Sequence, residues 1–88
     1  MDLPSIRLQI NHVDEKLLEL MIQRMGLIKD VARIKKQKNL PVYDPKREAL
    51  ILKGLKAKLP NEYGPYIEEL CKAMFTISKN YQEKLLSK

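Results

Sequence analysis

The sequence predicts an all-α protein of three helices, one long, one short and one of medium length, that assembles as a homodimer. Three observations carry this expectation. Apolar residues at Ile6, Ile10, Val13, Leu17, Leu20, Leu27, Val31 and Ile34 follow the alternating three-and-four spacing of a helix seam. Prolines at positions 41, 45, 60 and 65 divide the rest of the chain into two further helical stretches, and no segment alternates as a strand does. Finally, an unbroken helix from Ile6 to Lys38 would be roughly 50 Å long, whereas a compact chain of 88 residues has a radius of gyration of only about 12 Å. One chain cannot cover such a helix, so a second copy is expected to pack along it.

The first helix is expected to begin near Pro4 or Ser5, because proline suits a first turn and serine can cap. It must end before Pro41, which lacks a backbone donor and disfavours helical geometry at Leu40. Gly26, in mid-helix, costs about 1 kcal/mol relative to alanine; either the packing tolerates it or a neighbouring helix comes close there. Asp44 followed by Pro45 reads as an N-cap with proline at the first helical position. The second helix then runs over about 45–59, with Leu52, Leu55 and Leu59 as its stripe, until Pro60. The turn-rich segment 60–65 leads into a third helix over about 65–86, with stripe residues Ile67, Cys71, Met74, Tyr81 and Leu85, widened by Leu70, Phe75 and Ile77. The whole chain, 1–88, is expected to be one domain.

Composition narrows the function classes. An apolar fraction of 44% with 32% charged residues is that of a folded soluble chain, and no apolar run approaches the ~20 residues of a membrane span. Met1 to Ser5 carry no basic start, so no secretory leader is expected. With one cysteine, Cys71, there is no disulfide framework and no thiolate metal cluster; a reducing cytoplasm is the expected location. Seventeen basic residues against eleven acidic ones leave a formal charge of +6, which suits an anionic partner. Nucleic acid is not the expected one. The lysines are spread over every segment, and the densest cluster, Arg33 to Lys38, is interrupted by Ile34 and Gln37. Lys36 and Lys38 read as a solvated helix end.

The informative residues are polar ones on apolar faces. Arg24 and Lys35 interrupt the first helix's seam, and Ser78 and Gln82, four residues apart, fall within the third helix's face. Burying such groups without partners is costly, above all for the cations. They either pair with one another, or with Asp44 and Glu48, to set the register of a bundle, or they line a ligand pocket. Arg24 and Lys35 lie within roughly 20° of one line and about 16 Å apart on a straight helix, so their long side chains can converge on one small anion. Arg7 lies about 25 Å from Arg24 along the axis and about 100° around it. If it belongs to the same pocket, it must enter from an antiparallel partner chain. His12 stands alone, so no metal site is expected. Cys71 reads as core rather than nucleophile. Without nucleophiles or proton shuttles, an enzyme built on this chain would work by orientation and fixed charge; no cofactor is expected.

The run Arg7-x-x-Ile10-x-x-Val13-Asp14-x-x-Leu17-Leu18, then Arg24, Lys35, Pro41-Val42-Tyr43-Asp44-Pro45-x-Arg47-Glu48 and Ser78-x-x-x-Gln82 resembles the all-helical, AroQ-class (type II) chorismate mutases. The likeness covers nearly the whole chain, and the Val-Tyr-Asp-Pro-x-Arg-Glu element is its most specific part. It implies conversion of chorismate to prephenate, a step toward phenylalanine and tyrosine, in an intertwined homodimer with two shared sites. By position, Arg7 from the partner chain and Arg24 would hold the substrate carboxylates, Lys35 and Gln82 would face the ether oxygen, Asp44, Arg47 and Glu48 would order the pocket wall and the ring hydroxyl, and Ser78 would assist a carboxylate. Members of the family often carry a fused dehydratase, dehydrogenase or synthase domain, for which 88 residues leave no room, and no added regulatory segment is expected. Two other readings stand beside it. One is the related helical lyase that splits isochorismate to salicylate and pyruvate, against which the Ser78/Gln82 pair and the Asp44/Arg47/Glu48 set speak. The other is a non-enzymatic basic helical dimer that binds a partner protein, such as a separate synthase.

Overall fold

The computed structural model describes residues 2–87; Met1 and Lys88, the end points of the expected domain, lie outside the described residues. Three helices follow one another, α1 (Leu3–Lys38), α2 (Pro45–Lys58) and α3 (Gly64–Leu86), and no strand occurs among the described residues. The expected all-α class is therefore the observed one.

α1 starts earlier than the sequence reading placed it. Asp2, in extended conformation, accepts from the backbone N–H of Ser5 at 3.0 Å and caps the helix, so Pro4 sits in the first turn and Ser5 inside it. A carboxylate at this position also meets the positive end of the helix dipole, which a serine hydroxyl does not exploit. The hydrogen bond from Ser5 holds the Asp2 carboxyl below the usual aspartate range. The helix runs unbroken through Gly26, where an added Cβ would meet nothing within 4 Å; within this chain, no neighbour among the described residues approaches the glycine. At the other end Asn39 adopts the left-handed conformation (φ 58°), and the Leu40 N–H returns to the Lys35 carbonyl at 2.8 Å. Asparagine tolerates this C-capping geometry better than most residues.

α2 has the expected cap: Asp44 accepts from the Arg47 N–H at 3.1 Å, with Pro45 opening the helix. It stops at Lys58, because Leu59 is extended (φ −104°, ψ 147°) ahead of Pro60, as a residue before proline prefers.

α3 is the element on which the other two pack. It contacts both α1 and α2, which make no helix-to-helix contact with each other among the described residues. The buried side chains are Ala32 on α1 and Cys71, Phe75, Ser78 and Gln82 on α3, and Cys71 is a free thiol in this small core. The α3 residues follow a spacing of four, three and four, one face of a helix. Leu70 and Ile77 precede members of that face by one residue, about 100° around the axis, and are 50% and 43% exposed. They do not widen the core of the single chain, contrary to expectation.

The α1 seam is uncovered. Every residue from Leu3 to Leu20 is exposed, including Ile10, Val13, Leu17 and Leu20. The chain measures 54 × 27 × 15 Å with a radius of gyration of 16.2 Å, well above the ~12 Å of a compact chain this long. Its accessible surface is 7462 Å², roughly 2,000 Å² more than a compact monomer of this mass presents. No helix among the described residues is long and apolar enough to cross a membrane.

Candidate active site

The polar residues that interrupt the two apolar faces meet between α1 and α3. Helical spacing places Arg24 and Lys35 on the side of α1 that faces Ser78 and Gln82, and two hydrogen-bonded pairs result. The Arg24 guanidinium donates from Nη1 to Ser78 Oγ. That hydroxyl has a single proton, which it gives to the Met74 carbonyl at 2.9 Å, so its oxygen is left to accept from Arg24. Lys35 Nζ donates to Gln82 Oε1 at 2.7 Å and to the Val42 carbonyl at 2.8 Å. An ammonium carries three donors, and one remains for a ligand. Because Gln82 spends its carbonyl oxygen on Lys35, its amide nitrogen is turned away from the lysine and keeps its protons to donate.

These groups open onto a pocket lined by Arg24, Val31, Lys35, Val42, Asp44, Arg47, Glu48, Ile51, Phe75 and Gln82. The cap of α2 delivers its wall. Asp44 is fixed by the Arg47 N–H, and the first helical turn then presents Arg47 and Glu48. Three cations face two carboxylates, so the pocket is net positive. Partial burial pushes the Lys35 ammonium below the ordinary lysine value; Asp44 opposes the shift and Arg47 adds to it.

Of the eight residues singled out in the sequence, six line this pocket: Arg24, Lys35, Asp44, Arg47, Glu48 and Gln82. Ser78 is buried behind Arg24 and reaches the pocket only through it. Arg7 is not among the lining residues; it stands exposed on the uncovered half of α1. His12 is exposed as well, and no cluster of metal-ligating side chains occurs among the described residues.

One residue behind the pocket wall escapes the sequence reading. Lys79, on α3, pairs with Glu48 at 3.1 Å and lies over the Tyr43 ring, 4.5 Å from its centroid. The signal available for it is a cation at Phe75 + 4, on the helical face that should be apolar.

Fold and site together define an all-helical protein with a net-positive, amide-bearing pocket between its helices. The chain belongs to the chorismate mutase type II family, whose model matches residues 6–83. It is 47% identical over 49 residues to the chorismate mutase of Methanocaldococcus jannaschii, covering 56% of this chain and 50% of that protein. It is 34% identical to the bifunctional chorismate mutase/prephenate dehydratase of Buchnera aphidicola, over 99% of this chain but 23% of that protein. The chain thus spans half or less of the length of these two relatives. Among solved structures, Form II of the chorismate mutase from Thermus thermophilus superposes with a TM-score of 0.86 at 31% identity, covering 91% of this chain and 92% of that one.

Proposed function

We propose that this chain is a chorismate mutase, an isomerase that converts chorismate to prephenate for aromatic amino acid synthesis, acting in the cytoplasm as a homodimer with sites shared between chains and residues 1–88 forming one mutase domain. The observation that carries the reading is the Lys35–Gln82 pair. It aims one ammonium proton and one amide group into a pocket already ringed by Arg24 and Arg47.

The reaction is a unimolecular rearrangement in which a C–O bond breaks as a C–C bond forms, so it requires neither nucleophile nor general base. It does require the flexible dianion to be held in a compact, chair-like form, and the negative charge growing on the ether oxygen to be stabilised. Arg24 clamps a carboxylate, with Ser78 fixing its guanidinium from behind, and the fixed geometry replaces a loss of freedom that would otherwise add to the barrier. Lys35 and Gln82 donate to the ether oxygen, where preorganised donors act most strongly because charge develops there. Asp44 and Arg47 order the wall, and Glu48 accepts from the ring hydroxyl.

Arg7 completes the second carboxylate clamp from the partner chain. Three features support this arrangement. The seam on which Arg7 rides is exposed, a helix axis separates it from Arg24 by about 25 Å, and the surplus surface of roughly 2,000 Å² per chain matches the larger, obligate class of interfaces. Adding chorismate to the purified protein and following loss of its absorbance tests the reading: prephenate accumulates if it holds, and an unchanged spectrum at micromolar enzyme overturns it.

A further inference from the structure

The wall of the pocket contains an acid that, on electrostatic grounds alone, is out of place. Glu48 lines a cavity whose cations, Arg24, Lys35 and Arg47, are suited to a dianion, and whose other carboxylate, Asp44, is engaged as the α2 cap by the Arg47 N–H. A free carboxylate there would either repel the incoming anion or swing onto one of those cations and neutralise it. Among the described residues, Glu48 pairs with none of those cations. The Glu48 carboxylate is held from outside the pocket by Lys79 Nζ, 3.1 Å from Oε2, and both side chains are largely shielded, at 29% exposure for Lys79 and 24% for Glu48. Partial shielding of this kind separates the contact from an ordinary surface ion pair, which solvent and salt weaken.

The same ammonium lies over the face of Tyr43, 4.5 Å from the ring centroid, within the range of cation–π attraction. One side chain of α3 therefore grips both ends of the segment that carries the Asp44 cap: Tyr43 before it and Glu48 in the first turn after it. From the other side, Lys35 of α1 holds the Val42 carbonyl. α2 packs on α3 and makes no helix-to-helix contact with α1 among the described residues; these two lysines add a hold on the connector that leads into it, one facing the cavity and one behind it. Lys79 is not itself among the lining residues.

We propose that Lys79 is a positioning residue of this site: it neutralises Glu48 from behind, keeps it off the substrate-binding cations and presents its second carboxylate oxygen to a hydroxyl of the bound dianion. The inference rests on the mutase reading above. It assigns to Lys79 no contact with substrate; its effect runs wholly through Glu48 and the Tyr43 segment.

A double-mutant cycle tests it. Lys79→Met keeps the length of the stem and removes the charge, and is expected to lower kcat/KM about tenfold, chiefly through KM, as for contacting residues that act as a unit. Lys79→Arg, which can reach Glu48 and stack on Tyr43, is expected to retain most of the activity. In a Glu48→Gln background the same Lys79→Met change is expected to cost less than about twofold. Helical circular dichroism and the oligomeric state are measured for every variant, so that loss of fold is seen directly. Equal losses in both backgrounds, or a Lys79→Met enzyme with unchanged kcat/KM, would overturn the role given to Lys79 while leaving the mutase reading intact. A wild-type chain without turnover overturns both.

Discussion

Lys35 Nζ and Gln82 Oε1 are 2.7 Å apart across the α1–α3 contact, and this single hydrogen bond decides which atoms of both residues face the pocket. It commits the glutamine's acceptor, frees its amide donor and leaves the lysine one proton after Val42 has taken another. Removing the lysine therefore removes a donor and also releases the orientation of a second one.

Lys35→Ala is accordingly expected to lower kcat by at least about a hundredfold, the usual cost of losing a preorganised donor at a developing charge, with a smaller rise in KM. Steady-state kinetics on chorismate check this; a variant with full kcat would remove Lys35 from its assigned role.

The pH profile follows from the direction of the Lys35 shift. Burial lowers its pKa below the ordinary lysine value of 10.5, so the ammonium that in the proposed mechanism donates to the ether oxygen is lost earlier on the alkaline side than that of an exposed lysine would be. The alkaline limb of kcat/KM is expected below pH 10.5 in the wild type and absent from the residual activity of Lys35→Ala. The sign for stability is fixed too. The charged form is disfavoured in the folded state, so Lys35 subtracts from stability below its folded pKa, and that penalty is relieved as pH rises through the folded pKa toward the unfolded one.

The sharing of sites between chains proposed above makes a complementation experiment decisive. Arg7→Ala and Arg24→Ala homodimers each lack one clamp in both pockets and are expected to be nearly inactive. Mixed under conditions of subunit exchange, they form heterodimers in which one pocket carries both substitutions and the other carries neither. About half of the dimers at equal mixing are heterodimers, each with one intact site of two, so about a quarter of wild-type activity is expected. No recovery despite exchange, followed by mass spectrometry of tagged chains, would place Arg7 outside the pocket.

The exposed seam has its own test. Leu17→Lys with Leu20→Lys puts two charges on a face where each leucine gains about 1.5–3 kcal/mol by burial. Sedimentation is expected to shift from dimer to monomer, with a loss of helical signal, since an isolated helix of this kind is marginal in water.

Much of this architecture is legible in the sequence because its signals are local. Prolines and the Asp44-Pro45 cap mark where helices begin and end, and Arg24 and Lys35 reveal themselves by interrupting an apolar seam. Their pairing with Ser78 and Gln82 follows from the same logic on α3. Three features are less accessible. Asp2 and Ser5 are both competent caps, and only the backbone path chooses between them. Ser78 looks like a ligand contact, yet its proton belongs to the Met74 carbonyl, a bond within its own helix that no spacing rule distinguishes. Lys79 means little until α3 packs on α2, because its partner Glu48 is remote in the chain and its stacking on Tyr43 depends on how the connector turns.

The uncovered half of α1 has a consequence for how the molecule comes into being. From Leu3 to Leu20 no residue is buried, so nothing in the same chain rewards ordering that stretch. In the proposed dimer the reward arrives only when two chains meet, and the stretch that must wait for it carries Arg7. Acquisition of structure there should obey a second-order rate law, and competence for catalysis should appear with the bimolecular phase of refolding rather than with the faster collapse of α2 onto α3.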